Sequence, residues 1–159
     1  MLVLSRKVGE WIQLGEIWIR ICALRGNEVI LGFLARKAIP IHREEVFDRI
    51  AESGGTLVPN SGGSGTGFLL IHREMDQRVL IGDNTDPDEC WSVMVVEVRG
   101  DKVRLGLRAP REVTIHRAEV AYCCFLEDLK TAGIASQSEE GRRRLRETFP
   151  ERLRTEMAW

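Results

Sequence analysis

The residues best suited to recognition chemistry are two arginines, Arg43 and Arg117, each preceded by a histidine and followed within two positions by a glutamate. A guanidinium group is a planar fork of donors that matches a carboxylate, a phosphate or the O6 and N7 edge of guanine. Each arginine is expected to begin a helix, where the macrodipole disfavours a cation. Two interpretations stay open: an ion pair with a neighbouring glutamate, or contact with a phosphate or a base of a bound ligand.

Catalytic chemistry has no comparable support in the sequence. The chain has no glycine-rich phosphate loop, no GxSxG motif and no paired histidine ligands, whereas catalysis needs a converging base, nucleophile or metal. No C-x-x-C spacing occurs among the four cysteines, Cys22, Cys90, Cys123 and Cys124. We expect their thiols to be reduced and to pack as small apolar side chains. We expect a protein that is not an enzyme and has neither a metal site nor a cofactor.

Length and composition limit the class of protein. The chain has 159 residues, 43% apolar and 30% charged, with a formal net charge of -1. No apolar run approaches the roughly 20 residues that a membrane crossing needs, and the opening MLVLSRKVGE does not resemble a secretory signal. We expect a cytoplasmic protein without membrane association. Because the chain as a whole is not basic, any role in nucleic-acid binding must rest on local patches.

An internal repeat organises the chain. Residues 24–45 read LRGNEVILGFLARKAIPIHREE, and residues 98–119 read VRGDKVRLGLRAPREVTIHRAE. Upstream, LVLSRKVGEWIQLGE at 2–16 matches LLIHREMDQRVLIGD at 69–83, and the second copy has a short acidic insertion near residues 84–90 that reads as a solvated hairpin extension. The chain therefore contains two copies of one module.

Each copy reads as short strands followed by a helix. Strands rich in β-branched residues at 17–21 and 92–98 lead into turns containing Gly and Asn or Asp, and returning strands follow at 29–33 and 103–107. A last strand at 39–42 or 113–116 precedes a helix, which spans Arg43 to about Ser53 or Arg117 to about Ala132. The predicted class is mainly β with helices at the end of each module.

Four segments follow from this pattern: module 1 at 1–53, a flexible Gly/Ser-rich linker at 54–67, module 2 at 68–132 and a charged tail at 133–159. The tail contains Arg142, Arg143, Arg144 and Arg146, and two interpretations of it stay open: a charged helix broken at Pro150, or an arm that binds phosphate.

A module of about 50 residues has difficulty burying a sufficient core. We therefore expect the two modules to fold as one interleaved, pseudo-symmetric β body.

The frame M-L-x-L-[ST]-R-[KR]-x-G-E … H-R-E-E in this chain resembles the carbon storage regulator (CsrA/RsmA) family of bacterial mRNA-binding proteins. The resemblance covers residues 1–50 and 68 to about 125. It implies two five-stranded modules, intertwined as the family's homodimers are but joined here in one polypeptide as a monomeric pseudo-dimer. It also implies binding to GGA-containing hairpin loops in mRNA and control of translation or mRNA stability.

In the family, each RNA site joins the first strand of one protomer to the last strand and helix start of the other. The first composite site implied here comprises Leu4, Ser5, Arg6 and Lys7 with Ile115, His116 and Arg117. The second composite site implied here comprises Ile71, His72 and Arg73 with Ile41, His42 and Arg43. For the histidines, a capping or packing role is the open alternative, and for Arg6 and Lys7 a solvated strand edge.

The two composite sites are not equivalent in sequence. Glu74 stands in the second site where the family pattern has a basic residue, and Pro40 falls in the predicted last strand, where it would remove a ladder donor. A carboxylate near phosphates lowers affinity for RNA. We predict one competent site, built from Leu4 to Lys7 with Arg117, and one weakened site.

The alternative function is a protein-interaction module of the same fold that has lost RNA binding. In the family, a flagellar assembly factor can antagonise the regulator by direct contact, so a protein of that kind, or a small regulatory RNA, joins mRNA among the expected partners. The weak net charge and the altered second site favour this alternative to some extent.

Overall fold

A computed structural model of the protein describes residues 1–59 and 65–159. The strands of the first copy are β1 (Leu2–Lys7), β2 (Trp11–Leu14), β3 (Ile17–Arg25), β4 (Glu28–Arg36) and β5 (Ile41–Arg43), followed by helix α1 (Glu44–Glu52). Those of the second copy are β6 (Thr66–Arg73), β7 (Arg78–Ile81), β8 (Trp91–Arg99), β9 (Lys102–Arg108) and β10 (Ile115–Arg117), followed by helix α2 (Ala118–Thr131). Helices α3 (Glu139–Thr148) and α4 (Glu151–Met157) complete the chain.

The long hairpin of each copy turns at a glycine. Gly26 has φ of 61° between β3 and β4, and Gly100 has φ of 62° between β8 and β9. An L-residue with a side chain rarely adopts this left-handed conformation, which explains the glycine in both R-G-[ND] turns. These hairpins are the ones that the repeat predicts.

Each of the two sheets takes strands from both copies. Sheet I has the order β1-β9-β8-β7-β5, and sheet II has the order β10-β2-β3-β4-β6. The first and last strands of one copy thus pair antiparallel with the central strands of the other, for example Leu4 opposite Leu105 and Ile115 opposite Leu14. The structure confirms the mainly β, intertwined, five-stranded architecture expected from the sequence.

A single apolar core lies between the sheets. Alternate residues of the strands supply it, as Ile17, Ile19 and Ile21 of β3 do for sheet II and Val93 and Val95 of β8 do for sheet I. All five are at most 1% exposed. Since both copies contribute to one core, neither copy could bury these residues alone.

The outer faces of the sheets differ in polarity. In sheet II the side chains that alternate with the core residues include Trp11, Trp18, Ile30 and Leu34, which are at most 8% exposed. The equivalent positions of the second copy carry Arg78, Ser92, Arg104 and Arg108 in sheet I. The repeat is therefore conserved in its core-facing positions and has diverged on its outer faces.

Two boundaries differ from the sequence expectation. Arg43 and Arg117 close strands β5 and β10 and each precedes its helix by one residue, so Arg43 is the N-cap residue of α1. Glu44 and Glu45 occupy the first turn of α1, where the helix macrodipole stabilises carboxylates.

Pro40 precedes β5 instead of lying in it, and its carbonyl accepts a hydrogen bond from Gly82 N at 2.9 Å. The expectation that Pro40 lies in the last strand is therefore wrong.

Both ends of the segment expected to link the copies are held in place. Leu57 is 4% exposed and packs with Phe47, Leu80 and Cys90 in a small satellite core, whereas Thr66 and Gly67 already belong to β6. Residues 60–64 of this segment lie outside the described residues.

The chain divides into two compact units, Met1–Ala118 and Glu119–Trp159. In the second unit, Ser138 caps α3 by accepting a hydrogen bond from Gly141 N at 3.1 Å, and Pro150 separates α3 from α4. The rings of this unit cluster: those of Tyr122 and Trp159 stack at a centroid distance of 4.1 Å. Among the described residues, no helix combines the length and the apolar composition required for a membrane span.

Candidate nucleic-acid interface

The first composite site lies where an edge of sheet I meets an edge of sheet II. Strand β1 is the edge of sheet I and β10 the edge of sheet II, and the two strands come from different copies. Arg6 in β1 donates from Nη1 to the carbonyl oxygen of Trp11 in β2, at 3.2 Å. The next residue, Ile12, pairs with Arg117 of β10. The structure therefore brings the Arg6 end of β1 and Arg117 to the same region.

The residues of this site differ in solvent exposure. Arg6 is 5% exposed, and its guanidinium joins the edge strand β1 of sheet I to β2 of sheet II instead of facing solvent. The cations that face solvent are Lys7 and Arg117, with Ser5 and His116 half-buried beside them in the same strands. Leu4 and Ile115 are half-buried and pack against the core. The surface available to a ligand is a short pair of strand edges with one cation on each.

The acidic neighbours of Lys7 restrain it weakly. Lys7 Nζ lies 3.8 Å from Asp101 Oδ2, and the two side chains are 54% and 74% exposed. Such exposed pairs contribute roughly 0–1 kcal/mol, so a phosphate can replace the aspartate at little cost. Glu10 instead accepts a hydrogen bond from the backbone N–H of Lys7 at 2.6 Å and lies 3.5 Å from Arg6, which leaves the ammonium group of Lys7 available.

In the second composite site, two ion pairs join strands β6 and β7 to helix α1. Arg73 in β6, which is 5% exposed, donates from both Nη atoms to the carboxylate of Glu45 in α1. Arg78 in β7 donates to both carboxylate oxygens of Glu44, at 2.8 and 3.0 Å. Each pair joins one copy to the other. We call these four residues the ion-pair clamp.

The clamp holds its carboxylates ionised. The hydrogen bonds from Arg73 lower the pKa of Glu45 to about 2, and those from Arg78 lower the pKa of Glu44. The same pairing raises the pKa of Arg78. At neutral pH the positive charge of both arginines is therefore balanced within the protein, and less of it is available to attract a phosphate.

Of the remaining residues of the second site, both histidines have a polar partner, both isoleucines are buried, and Arg43 faces solvent. The Nε2 atom of His42, which is 7% exposed, is 2.9 Å from the carbonyl oxygen of Val58, and the Nδ1 atom of His72 is 2.6 Å from Glu28 Oε1. Ile41 and Ile71 are buried, at 4% exposed each. Arg43 faces solvent, together with Glu74, which occupies the position of Lys7 in the first site.

The clamp was not anticipated from the sequence, although comparison of the two copies contains a signal for it. Arg78 aligns with Trp11 and Glu44 aligns with Ala118. An oppositely charged pair in one half thus replaces a pair of buried apolar residues in the other, since Trp11 is 1% exposed and Ala118 is fully buried. A paired change of this kind indicates spatial contact.

The model of the CsrA global regulator protein family matches residues 1–52 and 68–122. The chain belongs to the CsrA family. It is 33% identical over 73 residues to a translational regulator CsrA of Leptospira biflexa, an alignment that covers 46% of this chain and 85% of that protein. It is 44% identical over 53 residues to a translational regulator CsrA of Rhodopirellula baltica, covering 33% of this chain and 67% of that protein. No solved structure matches the chain.

The matched segments show that both copies are CsrA-family sequences. Strands β1 to β5 and α1 fall in the first segment, and strands β7 to β10 fall in the second. Both composite sites lie inside these segments, whereas helices α3 and α4 lie outside them. The C-terminal helices are therefore an addition to the CsrA-family pattern in this chain.

Proposed function

We propose that this protein is a post-transcriptional regulator that binds GGA-containing hairpin loops of mRNA and thereby controls translation or mRNA stability. The curated relatives named above carry the name translational regulator CsrA, which supports the general class. The working unit in this proposal is the pair of modules, 1–53 and 68–132, joined by residues 54–67. Its place of action is the cytoplasm, and its partners are mRNA and a small regulatory RNA that competes for the same site.

In this proposal, RNA binds at the first composite site more strongly than at the second. The supporting observation is the difference in available charge. The first site offers Lys7 and Arg117 to solvent, whereas at the second Glu74 replaces the lysine beside the exposed Arg43. The second site also has the Glu44–Arg78 pair where the first has Ala118 and Trp11. Single-stranded loops are read by hydrogen bonds to splayed base edges and by contacts to phosphates. Arg117 supplies the guanidinium for such contacts, and the backbone groups of the β1 edge read the base edges.

The second candidate function is a protein-interaction module that has lost RNA binding, with a flagellar-assembly-factor-like protein as the model partner. The ion-pair clamp favours it to a limited extent, because a site with balanced charge suits a protein surface better than a polyanion. In this alternative the interface does not depend on release of counterions.

The test compares two charge reversals at aligned positions, Arg117→Glu and Arg43→Glu, in binding to a GGA hairpin followed by gel shift. Loss of a guanidinium contact to RNA costs about 1–3 kcal/mol, so we expect Arg117→Glu to weaken binding by roughly tenfold or more. Arg43→Glu serves as the matched control, and we expect a change of less than about threefold, as for an exposed charge outside the main contact. Equal losses would contradict the asymmetry.

A salt titration separates the two candidate functions. RNA binding should weaken steeply as salt rises, with a slope set by the number of phosphates contacted. Absence of hairpin binding at low salt would exclude the RNA proposal and leave the protein-interaction module.

A further inference from the structure

The C-terminal unit contains a cavity that the proposed RNA site does not use. It has a volume of about 260 Å³ and is formed within residues 119–159 by α2, α3, α4 and the segment before α3. Its lining includes Tyr122, Trp159, Arg142, Arg146, Arg154 and Gln137. Among the residues that the structure describes, no Asp or Glu side chain lines it. This composition combines aromatic rings with positive charge that the lining itself does not balance.

The arginines of α3 fall into two classes. Arg143 pairs with Glu140 and Glu147, and Arg144 pairs with Glu140. Arg142 and Arg146, one turn apart, line the cavity, and within the part of the chain that the structure describes neither has a carboxylate at ion-pair distance. Two of the four arginines of this helix thus serve no internal ion pair and meet at one cavity.

The aromatic part of the lining is fixed in position. The rings of Tyr122 and Trp159 are nearly parallel, with an interplanar angle of 9°, and Phe149 packs edge-on against both. Arg154 is held by a hydrogen bond from Nε to the carbonyl oxygen of Phe149 at 3.0 Å. Tyr122 and Trp159 are half-buried, so they are only partly covered by this packing. A rigid ring beside guanidinium groups is the combination that binds a base by stacking and its phosphate by charge.

We propose that this cavity binds a nucleotide, with the base against the Tyr122–Trp159 pair and the phosphate on Arg142 and Arg146. The volume lies below the roughly 300–1,000 Å³ of a pocket for a drug-sized ligand, which limits the occupant to a single nucleotide unit. Such a unit can be a free mononucleotide or one residue of an RNA strand. The site is independent of the first composite site and does not require that the proposed function be correct.

The test uses the full chain carrying Arg117→Glu, so that the first composite site does not compete for the probe. The probes are AMP and a short oligoadenylate, which contains no GGA, and binding is measured by calorimetry and by tryptophan fluorescence. We expect Arg142→Gln/Arg146→Gln to weaken probe binding by at least about fivefold, because two charge-assisted contacts are lost. The matched control is Arg143→Gln/Arg144→Gln, which removes the same charge from the same helix and should change binding by less than about twofold.

Circular dichroism measures the helix content of each variant and so shows whether a loss of binding results from a loss of folded structure. The control variant removes ion pairs, whereas the cavity variant removes none that residues 1–59 and 65–159 form, so a folding defect should appear first in the control. Binding of AMP identifies a site for free nucleotides, and binding of oligoadenylate alone identifies a site for RNA. The proposal is overturned if neither probe binds at about 1 mM, if the cavity variant leaves binding unchanged, or if both double variants weaken it equally.

Discussion

Arg73 of the second copy donates two hydrogen bonds to Glu45 of the first copy, from a guanidinium that is 5% exposed. In the first copy the equivalent of Arg73 is Arg6, which donates to the carbonyl oxygen of Trp11 and is equally buried. Both arginines therefore act in the interior of the fold: Arg6 joins the edge strand β1 to β2, and Arg73 joins the edge strand β6 to β7 and to helix α1.

The first prediction concerns acid stability. The pKa of Glu45 falls from 4.5 to about 2 on folding, because Arg73 stabilises its carboxylate. A depressed carboxyl pKa contributes stability that is fully present above the unfolded pKa and is lost as pH falls from about 4.5 towards 2. Glu45→Gln should therefore lower the melting temperature at pH 7 and reduce its dependence on pH within that window.

The control for this prediction is Glu52→Gln in the same helix, at an exposed position. Thermal unfolding of the three proteins between pH 7 and pH 2.5 provides the measurement. A pH dependence of Glu45→Gln identical to that of the wild type would show that the pair with Arg73 does not contribute to stability.

The second prediction concerns the weaker composite site and rests on the proposed function. Glu74 occupies the position of Lys7, so Glu74→Lys replaces a repulsive charge by an attractive one. In a chain carrying Arg117→Glu, we expect this change to raise hairpin affinity several-fold at low salt, with the gain decreasing as salt screens the charge. Asp76→Lys, two residues away in the turn after β6, is the control for general electrostatics. An equal gain from both changes would argue against a local site.

The third prediction follows from the exchange of strands. Strand pairs β1–β9, β2–β10, β4–β6 and β5–β7 each join one copy to the other. If a protease site is introduced between residues 59 and 65 and the chain is cut there, the two fragments should co-elute in size-exclusion chromatography and separate in denaturant. The uncut chain with the same insertion is the reference. Fragments that separate under native conditions would contradict the single shared core.

The fourth prediction uses two glycines at equivalent positions. A Cβ at Gly32 would overlap the ring of Phe68 and lie 2.8 Å from Cys22 Sγ, whereas a Cβ at Gly106 would meet mainly the side chain of Met1, which is 72% exposed. We expect Gly32→Ala to lower the free energy of unfolding by about 1–3 kcal/mol, as overpacking does. Gly106→Ala should cost less, since Met1 can move. Urea unfolding of both variants measures the difference, and equal costs would contradict it.

Much of the local structure could be predicted from the sequence. The hairpin at Gly26 and the hairpin at Gly100 follow from turn chemistry, and the alternation in β3 and β8 follows from the period of two. The helix faces were less predictable. In α2 the apolar residues at helical spacing include Val120, Cys124 and Leu129. Leu129 is buried as this spacing predicts, but Val120 and Cys124 are exposed, and Ala121 is buried instead. A helix with several apolar stripes does not specify which one packs.

The sequence by itself determined that two related modules share one chain, that each consists of strands and a closing helix, and that Glu74 stands in the second copy where Lys7 stands in the first. These features depend on residue type and on neighbours along the chain. Only the tertiary structure decided that Arg6 and Arg73 are buried, that Arg78 and Glu44 form a pair, and that Val58 meets His42. The physical reason is that each of these contacts joins residues of different elements, and for Arg73 and Arg78 elements of different copies, so the folded chain decides which group faces each side chain.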